Sequence, residues 1–197
     1  IKSVLYQVRC KKNSLKLPEY LFCMNGNILY SAKQKENDIT IGKGSDVHIS
    51  HHKSNHVGHI IQESNHRINH VSLKDQTPFE VKYVDSTKQN HLSLEVTFYH
   101  DKKKVTWTPK APIFDTEKNR FYLDLYGMWN HSSIKSKKNI VLQDLSGESS
   151  LIVRKVDHNV FEIEACPIYD PLIIFAIGLS EIVGPYIDYY NEINNVL

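Results

Sequence analysis

Between Asp170 and Gly184 the chain carries a stretch that no one-sided element can accommodate: Pro171-Leu-Ile-Ile-Phe-Ala-Ile-Gly-Leu-Ser-Glu-Ile-Val183. From Leu172 to Leu179 no residue is polar, so a helix drawn there is apolar on every face and must be surrounded. Lipid is a poor surround, because a bilayer takes roughly 20 apolar residues in succession and this run is well short of that. Asp170 stands at the cap position with Pro171 first in the helix, and Gly184-Pro185 supplies the stop. The spacing predicts one short helix, about 171–183, enclosed by protein. The rest of the chain has to build the enclosure.

Residues 1 to about 165 read as strands. Short runs of β-branched and aromatic residues recur at Val4 to Arg9, Tyr20 to Met24, Ile28 to Ala32, Ile39 to Ile41, Val57 to Gln62, Ile68 to Leu73 and Phe79 to Val84. They continue at Leu92 to Tyr99, Val105 to Thr108, Phe121 to Tyr126, Ile140 to Leu145, Leu151 to Val156 and Val160 to Glu164. Asn25-Gly26-Asn27 between two apolar runs is a strong hairpin signal. Leu92, Leu94, Val96 and Phe98 alternate with Ser93, Glu95, Thr97 and Tyr99, the pattern of a half-buried strand. A sheet this wide curls or splits as its twist accumulates. Closing it removes the edges and leaves an interior to be filled. The expected fold is therefore mainly β: a closed antiparallel β-barrel of about 12 short strands around a buried hydrophobic C-terminal α-helix. The barrel domain spans 1–184 and a tail spans 185–197, read as an outer amphipathic segment or a fraying end.

Composition narrows the function. A chain of 197 residues, 41% hydrophobic and 23% charged, fits one folded domain rather than a disordered chain. A net charge of +2 and a pI of about 8.3 lack the basic excess of a nucleic-acid binder. Cys10, Cys23 and Cys166 are scattered, which suggests a reducing compartment and no disulfide framework. The first residue is Ile1 and no signal peptide is recognisable, so an excised, monomeric, cytoplasmic domain is expected.

The last third resembles the C-terminal domain of the tubby and tubby-like proteins. Pro112-Ile-Phe-Asp115 is similar to that family's Pro-Val-Trp-Asn/Asp element, and Phe121-Tyr-Leu-Asp-Leu-Tyr-Gly127 to the strand after it. Gly127-Met-Trp-Asn-His-Ser-Ser-Ile-Lys135, with Lys138-Asn139 slightly displaced, resembles Gly-Arg-Val-x-x-Ala-Ser-Val-Lys-Asn. Val156-Asp-His-Asn-Val-Phe161 resembles Val-x-x-Asp-x-Phe, and Phe175-Ala-Ile-Gly-Leu-Ser180 differs by one residue from Phe-Ala-Ile-Ala-Leu-Ser. The likeness covers about residues 111–181. Phospholipid scramblases and LURP-one-related proteins are similar in architecture.

The resemblance implies a closed barrel threaded by a hydrophobic helix, and a non-enzymatic function. That function is binding of phosphoinositides such as phosphatidylinositol 4,5-bisphosphate, which tethers the protein peripherally to the inner face of the plasma membrane. Membrane-protein cargo or protein partners would accompany it, with no cofactor and no metal. Lysines and arginines on one surface suit this role through charge-assisted hydrogen bonds to phosphate. Lys33 and Lys35 in Ser31-Ala-Lys-Gln-Lys-Glu36 match a basic element of the family. His59 stands at a family lysine position in Val57-Gly-His-Ile-Ile-Gln62. Ile61 replaces a family arginine and cannot pair with phosphate, which leaves open a protein-interaction or scramblase-like barrel without inositide binding. Lys102 to Lys104 and Lys135, Lys137 and Lys138 form two further basic runs; each reads first as an ordinary solvated charge run, with presentation of both to a membrane by loops at one rim as the alternative.

Other chemistry is weaker. His48, His51, His52, His56, His59, His66 and His70 are dense enough to raise zinc, but no HExxH context or nearby cysteine accompanies them. Ser132 and Ser133 beside His131 lack a nucleophile elbow. Cys166 reads as a buried thiol. Asp157, Glu162 and Glu164 read as surface carboxylates, the two glutamates sharing a solvent face with Phe161 and Ile163 inward. Trp107 and Trp129 read as barrel-wall packing rather than membrane anchors. Direct contact with nucleic acid is not expected at this charge.

Overall fold

The period-two alternation from Val4 onward becomes a continuous wall. The computed structural model of the chain describes residues 2–13, 16–45, 54–65, 67–85, 92–125, 127 and 133–184. Its strands are β1 (Val4–Asn13), β2 (Lys16–Met24), β3 (Asn27–Lys35), β4 (Asp38–Lys43), β5 (His56–Gln62), β6 (Ile68–Leu73) and β7 (Phe79–Asp85). They continue with β8 (Leu92–His100), β9 (Lys103–Pro109), β10 (Ile113–Asp115), β11 (Arg120–Tyr122), β12 (Ile140–Gln143), β13 (Ser149–Asp157) and β14 (Val160–Ala165). One helix, α1 (Pro171–Val183), follows. Twelve strands close into an antiparallel ring in chain order, with β9 passing its pairing to β12 and β14 closing on β1. The strands β10 and β11 form a separate hairpin.

The expected strand over Phe121 to Tyr126 is thus only Arg120–Tyr122 and lies outside the ring. Past it the chain crosses the outer wall instead of joining it, because the Leu125 carbonyl accepts from Arg154 Nη1 on β13 at 2.9 Å. Tyr126 and the tail 185–197 lie outside the described residues.

The barrel is filled by α1. Every residue from Leu172 to Ile182 is buried, and the helix approaches β14 and β6 more closely than the other strands. Those two lie six steps apart in a ring of twelve, so the helix runs between opposite walls. Phe175 stacks on Phe22 of β2 with centroids 4.7 Å apart, and Phe22 on Tyr6 of β1 at 4.6 Å. Seven large apolar side chains of α1 leave water, worth about 10–20 kcal/mol at roughly 1.5–3 kcal/mol each, as an upper estimate.

Both helix ends are wired to the wall. Asp170 caps the start, Oδ1 accepting from Leu172 N at 2.8 Å and Oδ2 from Gln76 Nε2 at 3.1 Å. At the other end Tyr83 Oη donates to Ser180 O at 2.8 Å and Lys138 Nζ to Val183 O at 3.3 Å. These bonds satisfy carbonyls that a helix terminus leaves without partners. Gly184 closes the helix at φ 73°, the left-handed conformation that favours glycine.

Antiparallel order sorts the turns between two rims. At the entry rim, where α1 begins, lie the chain start and the turns at Asn25-Gly26, Asp75-Gln76, Asp101-Lys102 and Asp144–Gly147. At the exit rim lie the turns at Glu36-Asn37 and His158-Asn159 and the long connection from β9 to β12.

Candidate functional site

On β3 the alternation turns Ala32 inward and Lys33 and Lys35 outward near the exit rim. Cross-strand register then builds the patch. Lys33 lies between Glu19 of β2 and Thr40 of β4, and Thr40 lies beside His59 of β5. One row away, Lys35 is opposite Asp38, Asp38 opposite Ile61, and Ile61 opposite His70. All three residues expected from the sequence therefore share one outer face, with Lys33 and His59 two strand spacings, about 10 Å, apart.

The electrostatics of that face are mixed. Glu19 flanks Lys33, Asp38 flanks Lys35, and Glu36 occupies the adjoining turn. Ile61 is 40% exposed and carries no charge. The histidine across from it, His70, is already engaged: Nε2 lies 2.7 Å from Glu63 and Nδ1 3.5 Å from Glu80, which also faces Lys82 at 3.6 Å. His59 is half-buried, its ring stacked 6.1 Å from that of His56.

The two other basic runs separate. Lys102 to Lys104 sit at the entry rim, and Lys135 and Lys137 are exposed in the exit-rim connection, so one rim does not present both. Lys138 is withdrawn from that run to the helix terminus. Nearby on α1 the buried Glu181 has its carboxyl pushed up to about 8, because burial disfavours the charge and Lys138 offsets only part of that cost. The Tyr83 hydroxyl is likewise raised by burial, with Glu181 adding to it.

Glu162 and Glu164 do face away from the barrel axis, but they are buried, not solvated. The chain at Leu125 and Gly127 lies over them, and Gly127 approaches Glu164 so closely that a β-carbon there would meet its carboxylate. Arg154, 1% exposed, compensates both: Nη2 donates to Glu164 Oε2 at 2.8 Å and Nε lies 3.8 Å from Glu162 Oε2. Ser3 Oγ donates to Glu164 Oε1 at 2.6 Å. Arg154 was not singled out from the sequence. The hairpin turn at His158-Asn159 alone would set Arg154 opposite Ile163, and a register shift between Lys155 and Asp157 brings it opposite Glu162 instead, so no local sequence signal could have found the pair.

Trp107 is fully buried, edge-on to Phe98 and Tyr169 with centroids 4.8 and 4.9 Å away. Cys166 is half-buried rather than enclosed, and Cys10, Cys23 and Cys166 form no disulfide. His48, His51, His52, His66, Trp129, His131 and Ser132 lie outside the described residues. Among the described residues no group of three or more His, Cys, Asp or Glu side chains is placed to hold a metal ion. Among them, too, no helix is long and apolar enough to cross a membrane.

Among the described residues, clefts indent the surface at two places away from the lysines. One of about 280 Å³ opens at the entry rim beside Ser3, Asp144, Glu148, Cys166 and Ile168. The other, about 470 Å³, runs along the outside of β1 past Gln7, Arg9, Met24 and Glu162. Neither includes Lys33, Lys35 or His59. No protein-family model matches the chain, and no curated protein matches it.

Proposed function

We propose that this domain is a non-enzymatic membrane tether that binds phosphoinositide head groups, phosphatidylinositol 4,5-bisphosphate among them, at the inner face of the plasma membrane. The reading is carried by Lys33 and Lys35 projecting from one outer face of a helix-filled barrel, with His59 two strands away. Two lysines near an anionic surface contribute about 1 kcal/mol each, so together they account for about thirty-fold in affinity. The tubby-like motifs at Pro112–Asp115 and Phe175–Ser180 support the same reading.

A second reading, a protein-interaction or scramblase-like barrel without inositide binding, is favoured by Glu19 and Asp38 beside the lysines and by apolar Ile61. Vesicle co-sedimentation with and without the inositide separates the two, using wild type, Lys33→Ala/Lys35→Ala and Ile61→Arg. The tether predicts inositide-dependent binding that falls about thirty-fold in the double variant and rises in Ile61→Arg. Binding indifferent to the inositide and to all three substitutions refutes it.

A further inference from the structure

Among the described residues, the most exposed large apolar side chains are not on the Lys33 face. Leu145 is 87% exposed and Ile168 60%, and both stand at loop tips on the entry rim. Their loops flank the same cleft, which Asp144 and Ile168 line from either side.

Neither tip belongs to a loose loop. Asp144 Oδ1 accepts from Ser146 N at 2.8 Å, Ser146 Oγ at 2.5 Å and Glu148 N at 3.2 Å. Gly147 N donates to Asp144 O at 3.0 Å, and the closed turn holds Leu145 outward. In the second loop, Tyr169 N donates to Cys166 O at 3.4 Å while the Tyr169 ring packs on Trp107 and Phe98. Ile168 is left on the outside. Two aliphatic side chains are thus held in water by rigid frames, where their exposure is unfavourable.

Charge surrounds them. Among the described residues, the entry rim carries six exposed lysines: Lys2, Lys43, Lys74 and Lys102 to Lys104. Five carboxylates share the rim, Asp75, Asp101, Asp144, Glu148 and Asp170, of which Asp144 is turned into its own turn and Asp170 onto the start of α1. A protein interface needs a complementary area on the order of 1,000 Å², which two convex tips do not offer. A bilayer reshapes around any apolar prong and, when anionic, attracts the flanking lysines.

We infer that the entry rim is a second membrane-docking surface, inserting Leu145 and Ile168 into an anionic bilayer while lysines of the rim meet the head groups. It does not depend on the Lys33 face, which sits on the order of 20 Å further along the strands. A flat bilayer engages one surface at a time.

The test is partition onto phosphatidylcholine–phosphatidylserine vesicles containing no inositide. Leu145→Asp/Ile168→Asp lowers partition by at least about tenfold. Lys102→Ala/Lys103→Ala/Lys104→Ala lowers it at low salt and much less at high salt, whereas Lys33→Ala/Lys35→Ala leaves it unchanged. Both aspartate sites are exposed, so the melting temperature stays at the wild-type value. In Leu145→Trp, the introduced tryptophan shifts its emission to the blue on vesicle addition. Absence of wild-type partition, or partition indifferent to the aspartates, overturns the inference. Loss of the inositide response in Lys33→Ala/Lys35→Ala with rim binding intact speaks only to the head-group site.

Discussion

Gly178 of α1 faces Ile163 of β14 with no room between them: a β-carbon added at Gly178 would collide with Ile163 Cδ1. Ile163 is fully buried and cannot swing out to solvent. Two opposing terms decide the fate of Gly178→Ala. Alanine stabilises a helix interior by about 1 kcal/mol over glycine. Overpacking a closed core costs about 1–3 kcal/mol. The expected sum is a loss of up to about 2 kcal/mol.

Ile163→Val removes the offending methyl and alone costs about 0.5–1.5 kcal/mol. With Cδ1 gone, the next Ile163 atom, Cγ1, lies 3.3 Å from the added carbon, a tight contact relieved by a shift of a few tenths of an ångström. The double variant therefore recovers the helix gain and melts near wild type. Urea unfolding of all four proteins yields a coupling energy of about 1–3 kcal/mol in favour of the pair. Simple additivity, or Gly178→Ala more stable than wild type by itself, would falsify the close helix–wall approach.

Two more expectations concern the same interior. Ile177→Asp places an unpaired charge where exposure is 0%, costing several kcal/mol, and should yield insoluble protein; a soluble variant with a cooperative melt contradicts the enclosed helix. Glu181 makes stability pH-dependent, since its folded pKa of about 8 lies above the roughly 4.3 of an unfolded chain. The folded state binds the extra proton between those values, so stability falls as pH rises from about 5 to about 8 and then levels. Glu181→Gln should flatten that decline by a few kcal/mol at most; an identical change in unfolding midpoint between pH 5 and 8 in both proteins, buffers matched, counts against it.

Local pattern was enough for the wall and its plug. Asp170, Pro171 and Gly184 bracket a run without a polar face, and the helix occupies Pro171–Val183 as their spacing predicts. The Asn25-Gly26 hairpin and the alternation on β8 likewise appear where local preference places them, because turn chemistry and side-chain period are properties of a few adjacent residues. Even the patch was partly legible: Lys33 and Lys35 share a face because they are two residues apart on one strand.

What the sequence could not determine is which outer faces remain outer. Alternation assigns Glu162 and Glu164 to the side away from the barrel axis, but only the path of the chain through Leu125 and Gly127 buries that side, and the shifted register of β13 on β14 makes Arg154 their partner. Lys138 looks like its neighbours in a basic run, yet the position of the helix end draws it inward, and the strand order sends Lys102 to Lys104 to the opposite rim. The carboxylates beside Lys33 and Lys35 come from Glu19 and Asp38, set there by cross-strand register. Strand period and capping act over a few residues and are written in the chain directly. Burial and the pairing of charges act through space between segments far apart in sequence, so only the closed structure decides them.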